Sequence, residues 1–275
     1  PVNNSPYTVS IWAQYDSPVF GELKTMISQG RHFYIGQNFD GTLRVGDDWY
    51  TSLSFPLDAS WHNYVVVRSI DNTYLYLDGN LVATRGFAIS SPTNSLPLNP
   101  TATFLIGAQW NTGENWRGSI DEVRVWDRAL CPEEIISNWT CEISHNELGL
   151  IAAYNFNQGL AGADNTSPMV DVLIDSSGNG NNCNLFNFDL TGGVSNWIVP
   201  VGFSMPGGCV PIITATAYAD TDLDGFGDLN NSITISAVCD PPTGYELDAT
   251  DYDDNNNLVH PPFALPSGDA VYIPF

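Results

Sequence analysis

The sequence predicts an all-β fold. Three observations carry this: apolar and polar residues alternate in short runs from Tyr7 to Trp126, turn residues separate those runs, and one stretch alone has the marks of a helix. The chain has 275 residues, 43% of them hydrophobic. That is enough for one sizeable core and a small appended unit.

In order, the strand signals are "YTVSIWAQ", "RHFYIGQN", "TLRVGDD", "WHNYVVVRSI", "TYLYLDGNLVATR", "ATFLIGAQ" and "GSIDEVRVW". Asp78-Gly79, between "YLYL" and "NLVAT", predicts a tight hairpin, because both residue types accept the positive φ of that turn. The helix is "CPEEIISNWTC": Pro132 suits its first turn, acidic residues follow, and a Cys stands at either end. We expect a Cys131–Cys141 disulfide pinning it to the sheet. Strands resume with "LGLIAAYNFN", "MVDVLID", "CNLFNFDL" and "SNWIVPVGF". The gap between sheet regions is too short for a second core.

The chain carries 31 Asp and Glu against 8 Lys and Arg, a formal net charge of -23. A surface so acidic repels polyanions, which excludes nucleic acid as a partner and makes calcium the natural counter-charge. Arg128 is the last basic side chain; everything after it is polyanionic. Such a segment is either a disordered solvating tail or a segment ordered by bound cations. The five Cys fit an oxidising, extracellular or cell-surface setting. The sequence contains no run of about 20 apolar residues, so membrane insertion is not expected. It begins with Pro, which we read as a processed form or an excerpt of a longer chain.

The succession "WHNYVVVRSIDNTYLYLDGNLVA", "FLIGAQ", "GSIDEVRVWDRALCPEEI", "GLIAAYNFNQG" and "DSSGNGNNCNLFNF" resembles the laminin G-like, concanavalin A-like jelly roll of secreted bacterial surface proteins. The resemblance implies a two-sheet antiparallel sandwich over residues 1–209. After Cys209, "YADTDLDGFGDLNNSITISAVCDPPTGYELDATDYDDNNNLVHP" resembles a thrombospondin type 3 acidic calcium-binding repeat, assigned to residues 210–262. That pattern commonly has a second Cys where this chain has Tyr252, so Cys239 is expected to lack its partner. The odd Cys count is then accounted for if Cys183 pairs with Cys209.

In "DTDLDGFGD", Asp220, Asp222, Asp224 and Asp228 recur with Gly225 after the third, the opening of a calcium loop. A hard cation takes about six to eight oxygens, and alternate carboxylates converge where the backbone curls. No Glu closes the loop at its twelfth position, so Asp248, Asp251, Asp253, Asp254 and Asn256 are the expected remaining ligands. In the jelly roll, Asp121, Asp175 and Asn179 match motifs at which family members hold a structural cation; the other reading is ordinary turn chemistry.

Some glucan hydrolases share this fold through a pattern E-x-D-x-x-E. Here "EISHNE" places Glu142 and Glu147 correctly but has Ser144 at the helper position, and the four His have no metal-ligand spacing, so we expect no enzyme. Trp49, Trp110 and Trp116 fall in expected loops among polar residues. There they either stack on a sugar ring or cover the sandwich rim.

Residues 263–275, "FALPSGDAVYIPF", read as a strand presenting Val271, Tyr272, Ile273 and Phe275. Members of the resembled family open with a similar strand about ten residues before "YTVSIW", where this chain has only "PVNNSP". We expect residues 263–275 to complete the jelly roll of the next identical subunit, head to tail. Covalent tandem continuity and folding back onto the same domain are the alternatives. The expected function is a structural repeat of a calcium-stabilised extracellular filament or adhesin; the alternative is a carbohydrate-binding module recognising extracellular glycans.

Overall fold

The structure is a computed structural model that describes residues 6–16, 21–29, 33–45, 49–54, 59–86, 103–109, 114–192, 196–205, 207–251 and 253–258. At 49–52 and 54 it describes backbone only. The donor-strand expectation for 263–275 and the Trp110 assignment lie outside these residues. The chain forms two compact units, Pro1–Pro211 and Ile212–Phe275, a division two residues beyond the expected boundary.

Unit 1 begins with β1 (Tyr7–Tyr15), β2 (Lys24–Gln29), β3 (Phe33–Gln37), β4 (Thr42–Val45), β5 (Trp49–Ser54), β6 (Trp61–Arg68), β7 (Asn72–Leu77) and β8 (Asn80–Gly86). It continues with β9 (Phe104–Ile106), β10 (Gly118–Trp126), α1 (Pro132–Asn138), β11 (Leu150–Tyr154), β12 (Val172–Leu173) and β13 (Cys183–Asn184). Every named strand pairs antiparallel. A six-stranded sheet runs β11-β10-β1-β6-β7-β8, a five-stranded sheet runs β5-β4-β3-β2-β9, and β12 pairs with β13. This is the expected two-sheet jelly-roll sandwich.

Alternation along the strands builds the core between the sheets. Tyr7, Val9, Ile11, Ala13 and Tyr15 of β1 share it with Ile27, Phe33, Ile35 and Leu43 of the facing sheet. The opposite face of the six-stranded sheet is apolar too. Val65 and Val67 pack there with Trp126, Leu130, Ile135 and Leu150, whereas Tyr64 and Val66 face the inter-sheet core. Burial on both faces explains the unbroken "YVVV" run, since a strand with no wet side has no use for alternation.

The 78–79 hairpin forms as expected, with φ of 49° at Asp78 and 76° at Gly79. Asp78 also accepts the Asn63 amide at 2.8 Å and meets His62 Nδ1 at 2.7 Å, tying the turn to the start of β6. The helix forms where expected, with Pro at its start. Glu134, fully buried, receives both terminal nitrogens of Arg128 at 2.6 and 2.7 Å and the Cys131 amide at 3.1 Å.

Three expectations about cysteine are corrected. Cys141 pairs with Cys209, not with Cys131; Cys131 is disulfide-bonded elsewhere. The helix between Cys131 and Cys141 has seven residues, about 10 Å of axis, beyond the Cα separation of about 7 Å that a disulfide spans. Cys183 is the free thiol, so it is not the partner of Cys209. Cys239, expected to stand alone, is disulfide-bonded.

In unit 1 two strands were not expected, β2 and β5, and Trp49 begins β5 instead of lying in a loop. The expected strand "SNWIVPVGF" does not form: Val199 and Val201 are exposed, and only Trp197 is buried, against Phe188 and Phe156.

Sheet register leaves no room for a side chain at Gly36 of β3, which pairs with Thr25. A Cβ there would lie 1.9 Å from the Lys24 carbonyl oxygen. Gly36→Ala is expected to cost about 1–3 kcal/mol or more and to lower the thermal midpoint by roughly 5 °C or more, measured by circular dichroism.

Candidate metal centre in the acidic unit

Unit 2 is a small three-stranded sheet of β14 (Thr214–Ala219), β15 (Ser232–Ser236) and β16 (Tyr245–Glu246), in the order β15-β14-β16. The acidic motif "DTDLDGFGD" lies in the connection from β14 to β15. Its curl needs two positive φ values, 62° at Leu223 and 91° at Gly225. Asp220, 4% exposed, fixes the curl by accepting the Asp224 amide on one oxygen and the Gly225 amide on the other, both at 3.1 Å. Asp224 then accepts the Phe226 amide at 3.0 Å.

Gly227 brings the second acidic run to the first. Its amide donates to the Asp248 carbonyl at 3.0 Å and its carbonyl accepts the Asp251 amide at 3.2 Å. A Cβ at Gly227 would lie 2.5 Å from the Tyr218 Cβ and 2.9 Å from the Asp248 carbonyl oxygen, so the approach requires glycine. Thr221 locks the juxtaposition, donating its amide and hydroxyl to Asp254 at 2.7 and 2.5 Å.

Two carboxylate groups of three result: Asp220, Asp222 and Asp224, and Asp222, Asp251 and Asp254, the ligand oxygens within 4.8 Å of one another in each. Asp222 belongs to both. Its two oxygens, with Oδ2 of Asp224 and Oδ2 of Asp251, are shielded from solvent and have no hydrogen-bond partner among the described residues. Burial, then the charges of Asp224, Asp251 and Asp220, push the Asp222 carboxyl above the usual range. Like charges held dry and unpaired are strongly unfavourable unless a cation neutralises them. The donor set is all oxygen, as a hard cation requires.

Of the other expected ligands, the carboxylates Asp228, Asp248 and Asp253 lie outside both groups. Asp228 accepts from Asn230, Asp248 from the Thr250 amide and hydroxyl, Asp253 accepts the Asn256 amide on its carbonyl, and Asn256 accepts the Leu258 amide. These close the turns that carry the five convergent residues. Spacing alone identified the acids but not the sorting, which depends on Gly227 and Thr221.

In unit 1, Asp175 accepts the Ala153, Ser177 and Asn181 amides, each at 2.9 Å. Burial pushes its carboxyl up, but these bonds outweigh it and hold the group below its ordinary value. Asn179 donates to the Leu150 and Ile151 carbonyls and to Ser177. Both residues seal the outer edge of β11. Asp121 lies on β10, accepting the Glu122 amide at 2.8 Å; burial, then the charge of Glu122, raises its carboxyl to about 7, with Glu142 adding and Arg124 opposing. Among the described residues neither Asp121 nor Asp175 belongs to a convergent group of three His, Cys, Asp or Glu side chains.

Trp116 is half-buried against the inter-sheet core, its ring 4.9 Å from Tyr15 and its indole N–H on the Ser119 carbonyl at 3.4 Å, the rim-covering arrangement. Glu142 accepts from Asn157 at 3.3 Å and Glu147 is buried.

Residues 1–136 match the family model described as the concanavalin A-like lectin/glucanases superfamily. No curated protein matches the sequence. Among solved structures, a candidate carbohydrate-binding protein from Bacteroides ovatus superposes with a TM-score of 0.52 at 17% identity, over 67% of this chain and 55% of that one. This chain thus spans about half the length of that protein, and the likeness is one of fold. Domain 4 of an extracellular arabinanase from Geobacillus stearothermophilus, in complex with arabinotriose, gives 0.37 at 22% identity, over 48% of this chain and 65% of that one. A heptameric SAP-like pentraxin from Limulus polyphemus gives 0.36 at 18%, over 48% and 69%.

The raised Asp121 carboxyl makes a pH prediction. In the folded state it holds its proton up to about pH 7, whereas unfolded it releases it near pH 4. Stability from this group is therefore full below pH 4 and is lost as pH rises to 7. Asp121→Asn is expected to raise the thermal midpoint, by an increment that grows from pH 5 to pH 8 in a calorimetric series.

Proposed function

We propose that this chain is a calcium-ordered module of an extracellular surface protein, in which a jelly-roll scaffold that binds is followed by an acidic unit that calcium stiffens. The carrying observation is the set of shielded, unpartnered oxygens on Asp222, Asp224 and Asp251. Asp220, Asp222, Asp224, Asp251 and Asp254 hold the ion, and the acidic spacing fits the thrombospondin type 3-like reading. The disulfide of unit 1 fits an oxidising, extracellular location. In its finer form the module is a repeat of a filament or adhesin, with identical copies joined head to tail through residues 263–275.

A second reading, a lectin-like module recognising extracellular glycans, draws support from the superfamily match and from the fold shared with the Bacteroides ovatus protein. Both readings hold together in an adhesive filament. Binding on a polysaccharide array that survives Trp110→Ala and Trp116→Ala would remove these two side chains from it.

Isothermal titration of the chelator-treated chain with CaCl2 is expected to show saturable binding. At a free concentration of about 100 Kd the folded state gains about 2.7 kcal/mol. Asp222→Asn is expected to weaken binding at least tenfold, and affinity is expected to fall with falling pH as Asp222 takes up its proton. Unchanged heats and an unchanged melting curve across the chelator series would overturn the calcium reading.

A further inference from the structure

Among the described residues, the two sheets of unit 1 do not close on one side. β9 ends the five-stranded sheet and β11 ends the six-stranded sheet. A cavity of about 260 Å³ lies where they part, walled by Tyr7, Phe33, Phe104, Val125, Ala152 and Tyr154. An apolar space of this size is foreign to a close-packed sandwich interior.

The two edges differ. That of β11 is sealed by its own chain: Ala153 donates to Asp175 and accepts from Ser176, and the Leu150 and Ile151 carbonyls accept from Asn179 and Asn181. Among the described residues, the edge of β9 away from β2 has no strand partner. Gly107 donates to the Met26 carbonyl at 2.7 Å, and the β2 register pairs Leu105 with Ser28. By the alternation of an antiparallel ladder, Leu105 spends its backbone groups on β2, while Phe104 and Ile106 turn theirs outward. Among the described residues, nothing accepts or donates there. The side chains of Phe104 and Ile106 pack inward on the core, so an added strand would find both a ladder and an apolar wall.

We propose that this edge and cavity are the acceptor for residues 270–275 of a second copy. The inference rests on the head-to-tail reading above and names its site. Residues "AVYIPF" match the slot in pattern: Val271, Ile273 and Phe275 fall on one face at the strand period and fill the cavity, while Tyr272 stays on the outer face beside Leu105. The segment has no charged side chain, as an apolar slot requires. Its proline follows the residues that would pair, where it costs no ladder bond. An unfilled edge of this kind invites non-specific pairing, which a dedicated occupant prevents. Donor and acceptor surfaces are different, so the contact repeats along a line.

The test uses the full chain with Cys183→Ser as background, in calcium, followed by sedimentation velocity and by disulfide trapping between Leu105→Cys and Ala270→Cys or Tyr272→Cys. The expected results are multimers whose size grows with concentration, a ladder of covalent multimers on oxidation, and a return to monomer with Ile273→Asp. Multimers abolished by Ile273→Asp but never trapped through Leu105 would overturn the β9 acceptor while leaving the head-to-tail reading intact. Trapping within a single chain, in a protein monomeric at every concentration, would overturn the second copy as donor. A monomer with no trapping at all would overturn both.

Discussion

Burial of the six-stranded sheet on both faces governs the arrangement of unit 1. One face needs the five-stranded sheet; the other needs a cover, and the segment after β10 supplies it through Leu130 and Ile135. Arg124, 2% exposed, anchors that cover. It bonds Glu122 at 2.8 Å, the Asn138 carbonyl at 2.7 Å and the Cys141 carbonyl at 2.6 Å. The guanidinium thus satisfies carbonyls at the end of α1 and holds Cys141 in place for its disulfide. Removing one partner of such a buried pair costs about 3–5 kcal/mol, because the remaining charge is stranded.

The acidic unit solves the opposite problem. It gathers like charges instead of pairing unlike ones, and its backbone is bent to do so, through Leu223, Gly225 and Gly227. Among the described residues, the neighbouring carboxylates leave the charge of Asp222 unbalanced.

Much of the fold was legible in the sequence, for identifiable reasons. Residues 61–68 and 118–126 are long and β-branched, and Asp78-Gly79 fixes its hairpin by local torsion alone. β2 was illegible because "KTMISQ" lacks an alternating pattern: five of its six residues are buried, Thr25 and Ser28 among them. Those polar side chains are satisfied within the fold, Thr25 by Arg44 at 2.5 Å and Ser28 by the Ala108 carbonyl at 2.8 Å. The acids of the candidate metal centre stand out by their spacing, but which of them converge does not. That depends on Thr221 and Gly227, which resemble any loop residues until the second acidic run is seen against them. Cysteine pairing was misread because proximity in sequence along a rigid helix is not proximity in space.

The Cys141–Cys209 bond has a mechanical consequence. It joins points 68 residues apart in the sequence, and the bracketed stretch contains β11, β12 and β13. Tension applied to the polypeptide on either side of that bracket passes through the covalent bridge, not along the intervening backbone. These three strands are shielded from load applied at the two cysteines. Under a reducing agent the shield is gone, and the same pull reaches β11 and with it the sealed margin of the sheet.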